Sequence, residues 1–258
     1  MGKNRAMVLV GILLILAMSV PAYADGPAVS APNAKLDILG GSFDGDWGYI
    51  AAGSGSLPIG KRFGFQLDAG IGSIGGDRYY GFGGHLFARD PQKWLVGIIS
   101  SYQELENVSI ARTGVEGELY FDLFSLRGCA GYQYGDVKKG GFYNLRGRWY
   151  PTDNILLYIE GEMAAGTALG KMGAEYQFGL KALPGLAIFA EGAVGEKSYD
   201  RYYAGLRYYF GSNKSLKLRH RQDDPDTLIP DGMNALQGKL RENRKAQPAA
   251  TTPPPEVP

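Results

Sequence analysis

Arg62-Phe63-Gly64-Phe65-Gln66-Leu67-Asp68-Ala69-Gly70-Ile71 decides the fold class of this chain. Phe63, Phe65, Leu67, Ala69 and Ile71 take every second position, and Arg62, Gln66, Asp68 and two glycines fill the positions between. Side chains alternate across a strand, so a period of two builds one apolar and one polar face. The same period returns throughout residues 34–210. Val115 and Leu119 oppose Glu116 and Glu118, while Leu126, Ala130, Tyr132 and Tyr134 oppose Arg127 and Gln133. Tyr143, Leu145 and Trp149 oppose Asn144, Arg146 and Arg148. Ile155, Leu157, Ile159 and Met163 oppose Tyr158, Glu160 and Glu162, and Met172, Ala174, Tyr176 and Phe178 oppose Lys171, Glu175 and Gln177. The alternation is weakest over residues 49–57, rich in Gly and Ser, and 94–102, apolar on both faces.

Turn signals separate these segments in two alternating sets. One set comprises residues 44–46, 75–77, 104–107, 135–141, 167–170 and 196–200; the other comprises 58–61, 89–92, 121–125, 151–154 and 182–185. These eleven connections imply twelve strands, with ten as the alternative count. Connections so short join only antiparallel neighbours. The even count and ~10-residue strands suit an all-β, transmembrane, antiparallel up-and-down β-barrel.

The N-terminal segment supports export. Lys3 and Arg5 precede an apolar run at residues 7–18, and Pro21-Ala22-Tyr23-Ala24 ends in a small-x-small cleavage pattern. Residues 1–24 are therefore read as a signal peptide, too short in its apolar part for the ~20 residues of a spanning helix. Residues 25–33 are read as a short linker. The formal net charge of +1 gives no field suited to nucleic acid. A single cysteine, Cys129, rules out an internal disulfide, and two histidines, His85 and His220, leave little for a metal centre. No cofactor or metal is expected. Cys129 is read as a small filler facing the lumen.

Alternation alone does not say which face is outside. Three features favour a membrane barrel. The polar face carries matched charges: hairpin geometry sets Glu118 near Arg127, and Arg146 and Arg148 near Glu160 and Glu162, while Glu162 is brought towards Glu175. Aromatics gather at strand ends (Trp47, Tyr49, Tyr79, Tyr80, Trp94, Tyr102, Tyr134, Trp149, Tyr202 and Tyr208), as in the girdles of membrane barrels. The third feature is Tyr203-Ala204-Gly205-Leu206-Arg207-Tyr208-Tyr209-Phe210. It resembles the C-terminal targeting signal of bacterial outer-membrane proteins, carried here by Tyr203, Gly205, Tyr208 and Phe210. Residues 34–210 resemble a small porin-like outer-membrane barrel of proteobacteria. The resemblance implies the cell outer membrane as location, its lipids as surroundings, and the barrel-assembly machinery as a partner during insertion. It also departs from the pattern, because 48 residues follow Phe210.

That remainder, residues 211–258, is read as a periplasmic tail, largely disordered. It has a basic cluster at 214–221, the run Asp223-Asp224-Pro225-Asp226, a weak helical stretch at 233–245 with Leu236 and Leu240 one turn apart, and a Pro/Ala/Thr-rich end. A solvated extension is expected, with cell-wall or periplasmic contact as the functional alternative.

No catalytic constellation emerges. Glu116/Glu118 and Glu160/Glu162 share faces with arginines on neighbouring strands, which suits structural pairing. His85 shares parity with Gly81, Gly83 and Arg89 and so points inward, the wrong side for the lipid hydrolysis that some outer-membrane barrels perform. The expected lumen lining is Arg62, Asp68, Arg112, Glu116, Glu118, Arg127, Arg146, Arg148, Glu160, Glu162, Lys171, Glu175, Glu191 and Arg207. These charges nearly balance, so passive diffusion of small hydrophilic solutes or ions with weak charge selectivity is the leading expectation. Eight-stranded barrels are filled by side chains and sixteen-stranded ones are open. A closed structural or adhesive barrel acting through loops or tail is accordingly the alternative. No inter-strand loop is long enough to fold in as a plug.

Overall fold

A computed structural model describes residues 26–211 and 213–246; residues 1–24, read above as a signal peptide, and the chain end at 247–258 lie outside the described residues. Twelve strands form, as the turn count predicts. They are β1 (Asn33–Phe43), β2 (Asp46–Ile59), β3 (Phe63–Ile74), β4 (Asp77–Asp90), β5 (Trp94–Leu105) and β6 (Val108–Tyr120), followed by β7 (Phe124–Gly135), β8 (Gly140–Thr152), β9 (Ile155–Ala164), β10 (Thr167–Gln177), β11 (Leu186–Gly195) and β12 (Asp200–Tyr209). Each pairs antiparallel with its chain neighbour, and β12 returns to β1 with Asp37 opposite Arg207. Closure leaves no open sheet edge, the condition for strands to cross hydrocarbon.

The two faces sort as the period of two requires. Ile38, Ile71, Ile159 and Met172 are each about two-thirds exposed on the outer wall, while Gln66, Asp68, Glu116 and Arg127 are buried inside. A soluble barrel hides its apolar face; this one displays it. Of the aromatics read as girdle residues, Trp47, Tyr49, Tyr102, Tyr134, Trp149 and Tyr202 are exposed on the outer wall. Tyr79 is a correction: it is fully buried and donates to Gln103 Oε1 at 2.8 Å inside the barrel.

One turn falls elsewhere than expected, and it changes a register. The β9–β10 hairpin turns at Ala165-Gly166, both at positive φ (50° and 84°), rather than at 167–170. Two successive positive φ values define the type I′ turn, whose twist suits a two-residue hairpin. Glu162 therefore opposes Leu169 and Glu175 opposes Leu156. The expected juxtaposition of Glu162 with Glu175 does not occur, and Lys171 stands opposite Glu160 instead.

The largest departure lies beyond Phe210. The described part of the tail is not a solvated extension: it forms α1 (Leu216–Gln222) and α2 (Met233–Ala246), joined by an extended segment that runs through the barrel. The helical stretch read at 233–245 is α2. The reason is chemical: acidic side chains of the tail meet individual basic groups of a charge-balanced wall, and its apolar side chains meet an apolar mouth, as the contacts below establish.

Candidate functional site: the charged lumen and its plug

Thirteen of the fourteen expected lumen residues lie inside the barrel, with Arg146 and Arg207 slightly more accessible than the rest. Arg62 does not. It is exposed in the β2–β3 connection, one residue before β3 begins. Lys35, Asp37, Gln103 and Arg201, absent from that expectation, are also buried inside. Gln103 lies on β5, which is apolar on both faces, Lys35 and Asp37 near the start of β1, and Arg201 at the start of β12, before the run that resembles the targeting signal.

The wall charges form a network in which each acid meets a base on a nearby strand. Arg127 Nη2 lies 3.1 Å from Glu116, Arg146 Nε 2.6 Å from Glu160, and Arg148 Nη1 2.5 Å from Glu118. Glu118 and Arg127 are opposite in register, as expected, but Glu118 takes Arg148 from the next strand over. Arg148 is thus not a partner of Glu160 or Glu162. Glu162 instead receives Arg112 and Lys171, each at 2.9 Å, and Lys171 also reaches Glu160 at 2.7 Å. His85 sits between Asp68 at 3.3 Å and Glu116 at 2.7 Å, pointing inward as its parity required. Cys129 is buried with Ile99, Phe142, Ala164 and Leu228, the filler role expected of it.

Leu228 belongs to the tail, whose path can be followed residue by residue. At the end holding the barrel's own termini, α1 lies over the β6–β7 and β8–β9 turns. Lys217 bonds Asp153 through its backbone N–H at 2.9 Å and its ammonium at 2.6 Å, and Arg221 Nη2 donates to Phe121 O at 2.6 Å. Leu216 packs on Tyr150, Leu156, Ala187 and Tyr209, while His220 bridges the Tyr150 and Tyr209 hydroxyls at 3.0 and 2.9 Å. Ser30 and Lys214 both bond Asp223, at 2.5 and 2.6 Å, so the N-terminal segment joins this cap.

Residues 223–232 then enter the lumen. Asp224 pairs with Lys35. Asp226 inserts among three guanidinium groups: Arg146 Nη1 at 2.7 Å, Arg127 Nη1 at 3.6 Å, and Arg148. The Leu228 N–H donates to Asp68 at 2.9 Å, Gln103 donates to Leu228 O at 3.2 Å, and Asp231 meets Lys171 at 3.4 Å. The wall makes room for this segment with glycine. A Cβ at Gly70 or at Gly81 would lie 2.8 Å from the Ile229 side chain, closer than atoms pack.

At the opposite mouth α2 docks by its apolar stripe. Met233, Leu236 and Leu240 are buried against Phe43, Ile50, Ile74 and Leu105, each contributing about 1.5–3 kcal/mol if fully transferred from water. Gln237 bonds Phe43 O, Arg241 pairs with Asp44, and Arg244 reaches Asp77 at 2.7 Å and Asp46 at 3.3 Å. Inside the barrel a cavity of about 70 Å³ lies beside the tail, next to Lys35, Arg207 and Asp226. The described lumen is polar, and its charges are paired.

This geometry defines an outer-membrane β-barrel with a porin-like fold. No protein-family model matches the chain, and no curated protein matches it in sequence. Among solved structures it is similar to the KdgM porin, with a TM-score of 0.56 at 14% identity over 69% of this chain and 99% of that one. The KdgM porin in complex with disordered oligogalacturonate gives 0.55 at the same identity and coverage. The NanC porin gives 0.51 at 10% identity, covering 67% of this chain and 98% of that one. About a third of this chain thus has no counterpart in these barrels.

Proposed function

We propose that the protein is a porin-like channel for small hydrophilic solutes or ions, held closed by its own C-terminal segment. The observation that carries this reading is Asp226 seated among Arg127, Arg146 and Arg148. Ion pairs between plug and wall are exchangeable: water and dissolved ions can replace each partner, so a polar plug can leave a polar lumen at modest cost. A permanently sealed barrel would be better served by apolar packing. The fold shared with porins, one of them in complex with oligogalacturonate, supports a solute path along the same axis. Once the tail withdraws, wall acids and bases remain matched, for example Arg146 with Glu160 and Arg207 with Asp37. Selectivity by charge is therefore weak in the open state.

A closed structural barrel is the second reading, favoured by how completely side chains and tail fill the lumen. Planar-bilayer conductance of the mature chain beside a chain ending at Phe210 separates the two. The channel reading expects discrete, salt-dependent steps from the shortened barrel and long closed periods from the full chain. A shortened barrel that inserts, runs as a folded species and stays silent would contradict it.

A further inference from the structure

A hollow of about 370 Å³ opens at the mouth occupied by α2, between that helix and the β7–β8, β9–β10 and β11–β12 connections. It is separate from the lumen contacts that hold the tail. Lys138, Lys197, Lys239, Arg241 and Lys245 line it, against two acids, Glu196 and Glu242. Arg241 is already paired with Asp44. Lys197 and Lys239 approach Glu242 only at 3.8 and 4.0 Å, between accessible side chains, where such pairs contribute little. The space is kept open by small residues. Ala235 and Gly238 on α2 face Ala165 and Ala168 across it, and a Cβ at Gly238 would meet nothing within 4 Å.

We infer that this hollow binds a small, multiply charged phosphate anion. Several cations around one concavity raise the local concentration of anions and focus the field inward. Lysine suits phosphate as a compact point charge whose three donors can approach a tetrahedral anion from several directions. The lysines come from two parts of the chain, Lys138 and Lys197 from barrel connections and Lys239 and Lys245 from α2. A bound anion therefore ties α2 to the barrel rim.

The test is calorimetric titration of the mature full chain in neutral detergent with inorganic pyrophosphate at low ionic strength. A single saturable site is expected. Affinity falls at least tenfold in Lys138→Ala/Lys239→Ala and also in Gly238→Leu, which fills the hollow without altering charge and favours the helix. Repeating the titration in micelles containing phosphatidylglycerol distinguishes the source: competition assigns a lipid headgroup, unchanged affinity a dissolved phosphate. Absence of saturable binding to the full chain overturns the inference. Binding that survives Gly238→Leu in a chain of unchanged circular dichroism does so too, because it would reflect diffuse charge rather than a pocket. Conductance plays no part in this readout, so its outcome is independent of whether the barrel is a channel.

Discussion

Asp226 is the residue on which closure turns. Its carboxylate is the tail's acid nearest the Arg127, Arg146 and Arg148 cluster, and the wall acids Glu116, Glu118 and Glu160 already hold the far side of those guanidinium groups. Each of the three arginines keeps a wall carboxylate without Asp226, so its loss leaves desolvated guanidinium N–H groups lacking an acceptor, at a cost of about 1–3 kcal/mol. Asp226→Ala is expected to loosen the plug by roughly ten- to a hundredfold, read as a rise in the open probability of the full chain in a bilayer. An unchanged open probability would mean that α1 and α2 hold the plug without the lumen contacts. Much of the wall at this scale was legible in the sequence, because parity along a strand assigns faces without any structure. Partner choice was not. Glu118 and Arg127 face each other in register, yet long side chains reach diagonally to the next strand, and only packing decides between Arg127 and Arg148. Arg62 failed for a simpler reason: alternation continues into a turn on paper, whereas the strand stops at Phe63.

Among the elements, the two helices differ in what holds them. α2 docks by an apolar stripe and by arginines on the acidic turns at Asp44, Asp46 and Asp77. α1 docks through a buried histidine, which makes its attachment sensitive to pH. Burial, and then the nearby Arg148 guanidinium, hold His220 well below the ordinary histidine range, so it is neutral when docked. A released α1 would titrate near the usual 6.5. Below that pH the released state gains a proton that the docked state refuses, and docking weakens by about 1.4 kcal/mol for each pH unit. Amide exchange in α1, corrected for intrinsic rates, is therefore expected to speed up about fivefold between pH 6.5 and 5.5. The acceleration should vanish in His220→Gln. The same acceleration in that variant would place the sensitivity in another group. The helical period of α2 could be read from Leu236 and Leu240, but its docking site could not, since nothing local to residues 233–246 names the mouth of a barrel.

For the whole molecule, the strand number and antiparallel order followed from period and punctuation, because each depends on residues close in sequence. The threading depends on pairs far apart, such as Lys35 with Asp224 and Asp68 with Leu228. A signal for it was present. Leu228-Ile229 forms an apolar pair in an otherwise acidic, proline-bearing run, and glycines recur on the inner face of β3 and β4 where Ile229 passes. Read as composition, the run looks solvated; read against the Arg127, Arg146 and Arg148 cluster, Lys35 and the glycine gaps of the wall, it is a complementary insert. The described chain thus begins and ends at opposite mouths, with the barrel's own termini capped by α1 and the far mouth by α2. The most direct test of this arrangement uses Gly83 on β4, where a Cβ would lie 3.1 Å from the Cβ of Leu228. Gly83→Cys with Leu228→Cys in a full chain carrying Cys129→Ser, oxidised in native outer membranes, is expected to form an intramolecular disulfide that changes electrophoretic mobility and is reversed by reductant. A tail lying free outside the barrel would leave both thiols unpaired and open to alkylation, and that result would contradict the plugged barrel.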